Sequence, residues 1–518
     1  MEIAKLIAEL PALDVSGPVT GAVTAVTYSS DEVTPGACFV AISGRRVDGH
    51  AYIVDALARG ATLVVGEAPL PAGFPAERTY VRVANSRREL GTLAAALYRH
   101  PSHRMEIIGI TGTDGKTTTT NLIDAVLTTA GRRTGLMSTV DFKIGATRQP
   151  NNSRFTTLEA PEVQRVLAQM ADAGVESAVV ETTSSGLELH RVWGVEYDIA
   201  VITNITSEHL EVHGTLENYW RAKAMLFEAV DPHHTKDLPF EAPRACVLNA
   251  DDSSFAYLKP FCRAPILSYG IGGTADVRAE DVVLEPGGSR FRVFLPDGRN
   301  FMVHTPLVAR FNVSNCLAAL AVGYLHGIAP DVLAEAMATF GGVPGRMERI
   351  DAGQPFTVVV DYAHTADSLA KVLDVLRPVT QGRLIAVFGS AGDRDRVKRP
   401  AMGAVAVRLA DFAVVTDEDP REEDAASILR EIAVGAEEAG AREGEQFVCV
   451  VGRREGIAEA FRRARPSDTV LLAGKGHEQS IVIGREKLPW DDRSVAREAL
   501  AALGYTRDGG DAHQRVDG

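Results

Sequence analysis

Gly112-Thr113-Asp114-Gly115-Lys116-Thr117-Thr118 is the stretch of this chain whose residue types and spacing most directly imply chemistry. It follows an apolar run, MEIIGITG from Met105 to Gly112, and leads into TTTTNLIDAVLTTAG, Thr117 to Gly131. Glycines let successive backbone N–H groups wrap a phosphate, and a helix N-terminus adds positive potential. Lys116 can then reach a β- or γ-phosphate, and the Thr117 hydroxyl can bind Mg²⁺. The spacing is not the strict G-x-x-x-x-G-K-[ST], because Ile110 stands where that pattern has its first glycine. Strand, glycine loop and helix still agree on a phosphate-binding turn.

That turn needs a sheet to hold it. VESAVVE (Val175 to Glu181) and YDIAVITN (Tyr197 to Asn204) are apolar runs of strand length separated by helical segments. This βαβ pattern predicts an α/β fold with a mostly parallel sheet. Upstream, CFVAIS (Cys38 to Ser43), ATLVVGE (Ala61 to Glu67) and YVRVA (Tyr80 to Ala84) read as strands, with helices over 51–60 and 89–100. Pro101 and Ser102 read as a linker. Downstream, TVVVDYAH, RLIAVFGSAG, DFAVVTDEDPR and TVLLAGKGHE each join a β-rich run to a polar loop. In open α/β sheets ligands sit at the carboxyl ends of strands, where those loops fall. The expected domains are 1–101, 102–342 and 343–505, with 506–518 a disordered tail.

Composition narrows the function classes. A chain of 518 residues has room for three or four cores. A net charge of −14 argues against binding nucleic acid through broad phosphate neutralisation, although a basic pocket can sit on an acidic protein. The five cysteines are scattered and contain no C-x-x-C pair, which suits a reducing compartment without disulfides. The N-terminus has no secretory pattern and no run is long enough to span a bilayer, so a cytoplasmic protein is expected.

Several motifs stand in order along the chain: YSSDEVTPGACFVAISGRRVDGH, TGTDGKTTT, NITSEHLEVHGTLENYWRAKAMLF, ARFNVSNCLAAL, VPGRME, DYAHTADSL, FGSAGDRDRVKRPAMG and GKGHEQ. With them the chain resembles the Mur ligases over nearly its whole length, and among these the UDP-N-acetylmuramoyl-tripeptide synthetases. The resemblance implies a UDP-binding N-terminal domain, a central P-loop ATPase domain and a C-terminal Rossmann-like domain for an incoming amino acid. It implies an ATP-dependent ligase, in which a carboxylate is activated as an acyl phosphate and captured by an amine.

The residues this places at the site follow motif by motif. ATP is expected on Gly112, Thr113, Asp114, Gly115, Lys116, Thr117 and Thr118, with Asn312 at the adenine and Arg346, Asp361 and His364 at the boundary of the second and third blocks. Mg²⁺ is expected on Thr117, Glu181, His209 and Lys223, and the catalytic group is Lys116, Glu181, His209 and Lys223. Lys223 matches the lysine that these ligases carbamylate: CO₂ turns an ammonium that repels a metal into an anion that can hold one. The UDP-linked substrate, UDP-N-acetylmuramoyl-L-alanyl-D-glutamate, is expected on Ser30, Thr156, Thr157, Thr183 and Arg191. Three positions depart from the family pattern: Asp31 replaces an arginine, Phe155 an asparagine, and Thr183-Ser184-Ser185-Gly186 the usual S-S-H-G.

The incoming amino acid is expected on Arg394, Glu418, Asp419, Arg421, Gly474 and Glu478. Enzymes that add meso-diaminopimelate commonly carry D-N-P-R where this chain has Glu418-Asp419-Pro420-Arg421. An anion in place of an amide attracts a terminal ammonium and repels a second carboxylate, so L-lysine or L-ornithine is favoured over diaminopimelate. A monomer is expected, and the charge and the apolar runs predict no nucleic-acid partner and no membrane span. Two other readings stand beside it: another ligase of the Mur and folylpolyglutamate type, and a P-loop switch or transport ATPase. The N-terminal block and the acceptor loops, for which a switch has no use, weigh against the second.

Overall fold

Apolar runs rich in β-branched residues need cover on both faces, and here they form the central strands of three sheets. The computed structural model describes residues 1–44, 47–153, 155–206, 213–285 and 287–506. His209 and nearly all of the expected tail lie outside the described residues. The chain divides into two compact units, residues 1–283, 290–305 and 310–340, and residues 284–289, 306–309 and 341 onward.

In the first unit, an eleven-stranded sheet has Glu106–Thr111 near its middle. Ser177–Glu181 pairs with it in parallel on one side and Ile199–Ile202 on the other, in the registers Ser177 to Glu106 and Ile199 to Ile108. Ala245–Asn249 and Ile266–Ile271 continue the parallel order beyond Ile199–Ile202, and Thr134–Met137 beyond Ser177–Glu181. Two antiparallel strands, Asp141–Ile144 and Thr147–Pro150, extend the last edge. Ile107, Ile108 and Ile110 are fully buried, as the continuous apolar run requires.

The helix Lys116–Thr129 follows the central strand and packs against the helix Arg310–Leu325. Their approach is close enough that a Cβ at Gly323 would meet Val126 Cγ1 at 2.9 Å. A separate five-stranded sheet occupies the first part of this unit, with strands from Asp14–Ser16 to Thr79–Arg82. The helix Ser86–Leu97 is capped by Asn85, whose side chain accepts from Arg88 N, and it packs on the helix Ala160–Asp172.

The segment read as a linker is not one. Residues Pro101–Arg104 form a short 3₁₀ turn in which Pro101 and Ser102 are buried. The Ser102 hydroxyl accepts from Glu196 N at 3.2 Å, so this crossing is packed against the central sheet. Proline and serine signal a break in a helix but not its exposure.

The second unit carries a six-stranded sheet ordered Glu348–Ile350, Thr357–Asp361, Thr469–Ala473, Leu384–Phe388, Phe412–Val415 and Phe447–Cys449. The first pair is antiparallel and the rest are parallel. The four polar loops therefore leave the same edge, after Asp361, Phe388, Val415 and Ala473.

Candidate active site

Two glycines set the phosphate loop. Gly112 has φ +151 and Gly115 has φ +80, and a Cβ would lie 1.8 Å from Thr203 Oγ1 at the first and 2.4 Å from Asn315 Oδ1 at the second. No other residue fits either position without moving its neighbours. The loop is tied down from the strand beside it. Thr113 N donates to Asn204 O at 2.8 Å, Asp114 N to Asn204 Oδ1 at 3.0 Å, and Thr203 Oγ1 to Asp114 O at 2.6 Å. The Lys116 ammonium turns back to donate to Thr113 O at 2.8 Å and Gly112 O at 3.1 Å. Thr118 lies half-buried in the first helical turn.

Glu181 ends its strand next to this loop and is 2% exposed. Thr117 Oγ1 is 3.1 Å from both its carboxylate oxygens, Thr139 N donates at 2.8 Å and Thr139 Oγ1 at 3.0 Å. Among the described residues no cation pairs with it. The Glu181 carboxylate and the Thr117 hydroxyl together make a hard-oxygen donor set that suits Mg²⁺.

Lys223 is brought to the same loop from the helix Leu216–Glu228, whose N-cap Thr215 accepts from Asn218 N. Its side chain is buried, Nζ donates to Gly112 O at 2.6 Å, and Nζ lies 4.5 Å from the centre of the Tyr219 ring. Tyr219 in turn shares a hydrogen bond with Thr113 Oγ1 at 2.9 Å. Asn312 is joined to the loop through Asn315: Asn315 Nδ2 donates to Asn312 Oδ1 at 3.1 Å, and Thr119 Oγ1 donates to Asn315 Oδ1 at 3.2 Å. Tyr219, Thr139 and Asn315 are members of this cluster that the motif reading missed. Tyr219 and Asn315 stand inside quoted motifs without a role assigned to them, and Thr139 lies in a bend outside every motif.

The residues expected to hold the UDP-linked substrate continue the chain of contacts. Thr156 Oγ1 lies 3.0 Å from Thr139 Oγ1, Thr157 Oγ1 donates to Glu181 O at 3.2 Å, and Thr183 N donates to Thr157 Oγ1 at 3.0 Å. Arg191 forms an ion pair with Glu159 at 2.9 Å, donates to Thr157 O at 3.2 Å and lies over the Phe155 ring at 4.5 Å. Much of its guanidinium is thus engaged within the protein. Tyr28 was not anticipated here. Burial pushes its hydroxyl up to about 12, with the charges of Glu159 and Glu162 adding to the shift and Arg191 opposing it. Ser30 is buried in the 3₁₀ turn Ser30–Glu32, two residues beyond Tyr28.

In the second unit, Arg346, Asp361 and His364 gather around Tyr362. The Arg346 guanidinium lies 4.9 Å from the Tyr362 ring centre, and His364 Nδ1 is 2.9 Å from Tyr362 O. Asp361 accepts from Ala363 N and Met347 N at 2.9 and 2.8 Å. Burial raises its carboxyl above the usual range, against the pull of Arg346 and these N–H groups. Burial also lowers the His364 imidazole. Gly345 and Gly476 allow the loops to interlock: a Cβ on Gly345 would strike His477 N at 2.0 Å.

The acceptor residues lie on three loops of the same sheet edge. Glu418 is buried, its Oε2 has no hydrogen-bond partner among the described residues, and burial pushes its carboxyl up to about 7. Gly474 faces it, 3.5 Å from Glu418 Cγ when given a Cβ. Arg421 has φ +53 and a buried Nε without a partner among the described residues, while Arg394 is exposed on its loop. Asp419 is not the free acid that the sequence comparison assumed. Lys475, 1% exposed, pairs with Asp419 Oδ1 at 2.8 Å and with Glu478 Oε2 at 2.5 Å. The charge that stood for selectivity is therefore partly neutralised. Lys475 carries the signal in GKGHE, but the sequence did not say which acid it meets.

Three segments of the chain match Mur ligase domains: residues 22–98 the Mur ligase family catalytic domain, 110–323 the Mur ligase middle domain, and 345–476 the Mur ligase glutamate ligase domain. The UDP-N-acetylmuramyl-tripeptide synthetase of Roseiflexus sp. (strain RS-1) is 50% identical, over 94% of this chain and 96% of its own. The UDP-N-acetylmuramoyl-L-alanyl-D-glutamate--2,6-diaminopimelate ligase of Geobacillus thermodenitrificans (strain NG80-2) is 42% identical, over 96% of this chain and 99% of its own. A solved structure of a ligase with that second name superposes with a TM-score of 0.66 at 31% identity, covering 93% of this chain and 96% of that one.

Proposed function

Because the chain belongs to the Mur ligase family, we propose that it is a UDP-N-acetylmuramoyl-tripeptide synthetase. It uses ATP to join an amino acid to UDP-N-acetylmuramoyl-L-alanyl-D-glutamate in peptidoglycan synthesis. The observation that carries this reading is the buried Glu181–Thr117 pair beside a glycine loop that also receives Lys116 and Lys223. A free carboxylate is a poor acyl donor. Phosphoryl transfer from ATP to the substrate carboxylate makes an acyl phosphate and ADP, and the amine of the acceptor then displaces phosphate to form the amide.

The loop N–H groups and Lys116 bind the phosphates and stabilise the charge on the transferring group. Thr117 and Glu181 would hold Mg²⁺, which supplies further charge neutralisation when bound. Lys223 as its carbamate would join them. A carbamate keeps one N–H, so the contact with Gly112 O is compatible with that modification. Thr156, Thr157, Thr183, Arg191 and Ser30 position the UDP-linked substrate, with Tyr28 beside them. Asn312, Arg346, Asp361 and His364 serve ATP, and Arg421 and Arg394 bind the acceptor carboxylate.

For the acceptor, L-lysine or L-ornithine is the preferred reading. Of the three acids Glu418, Asp419 and Glu478, the last two share the ammonium of Lys475, a balance that favours an ammonium at the distal end. The relative's name, with its diaminopimelate, and the Lys475–Asp419 pair support meso-diaminopimelate as the second reading. Phosphate release from ATP in the presence of the UDP-linked dipeptide and each amino acid separately, with product mass, tests both reaction and acceptor. ATP hydrolysis indifferent to all three amino acids, with no tripeptide formed, would overturn the proposal.

A further inference from the structure

Two short histidine motifs play no part in the site above: His100-Pro101-Ser102-His103 and Pro232-His233-His234. The fold brings one histidine from each to opposite sides of Glu196. His103 Nε2 is 3.0 Å from one Glu196 oxygen, and His234 Nε2 is 2.8 Å from the other. One donor atom from each of the three residues lies within 4.8 Å of the others. These residues precede the strands Glu106–Thr111, Ile199–Ile202 and Ala245–Asn249, at the amino ends of adjacent strands. The glycine loop leaves the opposite, carboxyl end.

The backbone under the cluster is tied down. Lys236 Nζ donates to Met105 O at 3.1 Å and Glu196 O at 2.9 Å, and it pairs with Asp198. That pins the loop carrying His234 against the strand that follows His103. Ser102 Oγ accepts from Glu196 N. Arg244 is 3.0 Å from Asp198 Oδ1 and 3.4 Å from Glu196 Oε1, so its nearer partner is Asp198.

We propose that His103, Glu196 and His234 form a binding site for a divalent transition-metal ion of the zinc class. Two imidazoles and a carboxylate are the donors such ions take, and Mg²⁺ or Ca²⁺ would instead require oxygen. Tetrahedral bonds of about 2.0–2.1 Å separate donor atoms by about 3.4 Å. The two imidazole–carboxylate contacts, at 3.0 and 2.8 Å, lie within a few tenths of an ångström of that spacing, and the three donor atoms all lie within 4.8 Å of one another. The ion fastens three segments distant in sequence at the base of the sheet, and a fourth position is left for water.

The test uses the full chain without a histidine tag, stripped of metal and titrated with Zn²⁺ against a chromophoric competitor. The wild-type protein is expected to bind one equivalent that His103→Ala/His234→Ala loses and that Glu196→Gln weakens at least 10-fold. Zn²⁺ is also expected to raise the melting midpoint of the wild type and not of the double variant. Should the double variant fail to unfold cooperatively, His234→Gln alone is read in the same titration, with the same loss expected. Equal Zn²⁺ binding by wild type and folded variant, or none by the wild type, overturns the site.

Discussion

Lys223 Nζ donates to the carbonyl of Gly112 at 2.6 Å, across 111 residues of sequence. A buried lysine on the phosphate loop is a poor neighbour for a second cation until its charge is reversed. Lys223→Ala is therefore expected to reduce phosphate release with all substrates present by at least ~10²-fold, the scale seen on removing one preorganised stabilising group. Acetate or formate is expected to restore part of it by supplying an anion. Full activity in the variant would remove the carbamate from the mechanism.

Gly112 meets Thr203 too closely for any side chain. Gly112→Ala is expected to displace the loop, raising the KM for ATP and lowering stability by about 1–3 kcal/mol. Steady-state kinetics and urea unfolding check the two effects. A variant with wild-type values for both would show that the loop adapts.

Glu418 gives a pH dependence with a defined sign. Its folded-state carboxyl lies at about 7, above the ordinary value of 4.5. The unfolded chain therefore loses this proton first as pH rises. The stability tied to the protonated form is complete below about pH 4.5 and is lost as pH rises through about 7. Glu418→Gln, which stays neutral, is expected to gain on the wild type by about 3 kcal/mol between pH 4.5 and 8. Urea midpoints of both proteins across that window provide the comparison, and parallel curves would refute the shift.

Asp419 and Lys475 form the pair on which acceptor choice turns. Asp419→Asn removes one of three acids while leaving Lys475 in place. It is expected to shift the ratio of kcat/KM values toward meso-diaminopimelate, and away from L-lysine or L-ornithine, by about 10-fold. Competition between the amino acids, read by product mass, measures this. An unchanged ratio would take Asp419 out of the selectivity argument.

Glu106 and His326 form a buried pair at the base of the central sheet, 2.8 Å apart, with Ser177 Oγ donating to the same carboxylate at 2.6 Å. His326 Nδ1 also meets Val322 O at 2.8 Å, so the ring has an acceptor on each side. Glu106→Ala leaves these donors without a partner in the core. It is expected to lower the unfolding free energy by about 3–5 kcal/mol, measured by urea denaturation at neutral pH. A loss below about 1 kcal/mol would mean that water replaces the carboxylate.

The sequence by itself determined the elements and the nature of the loops. The apolar run before Gly112 had to be a buried strand, the glycines had to turn, and the repeated β-run and polar-loop pattern had to place polar residues at the carboxyl ends of strands. These are local properties, set by backbone sterics and hydrophobic period over a few residues. Tertiary structure alone decided which charges meet. Lys223 is buried against Gly112, Asp419 had the pattern of a free acid and is paired with Lys475, and Tyr362 became the hub of three loops. Partners 56 and 111 residues apart for Lys475 and Lys223 leave no trace in local periodicity. Their pairing follows from strand order and from the cost of burying any charge without a partner.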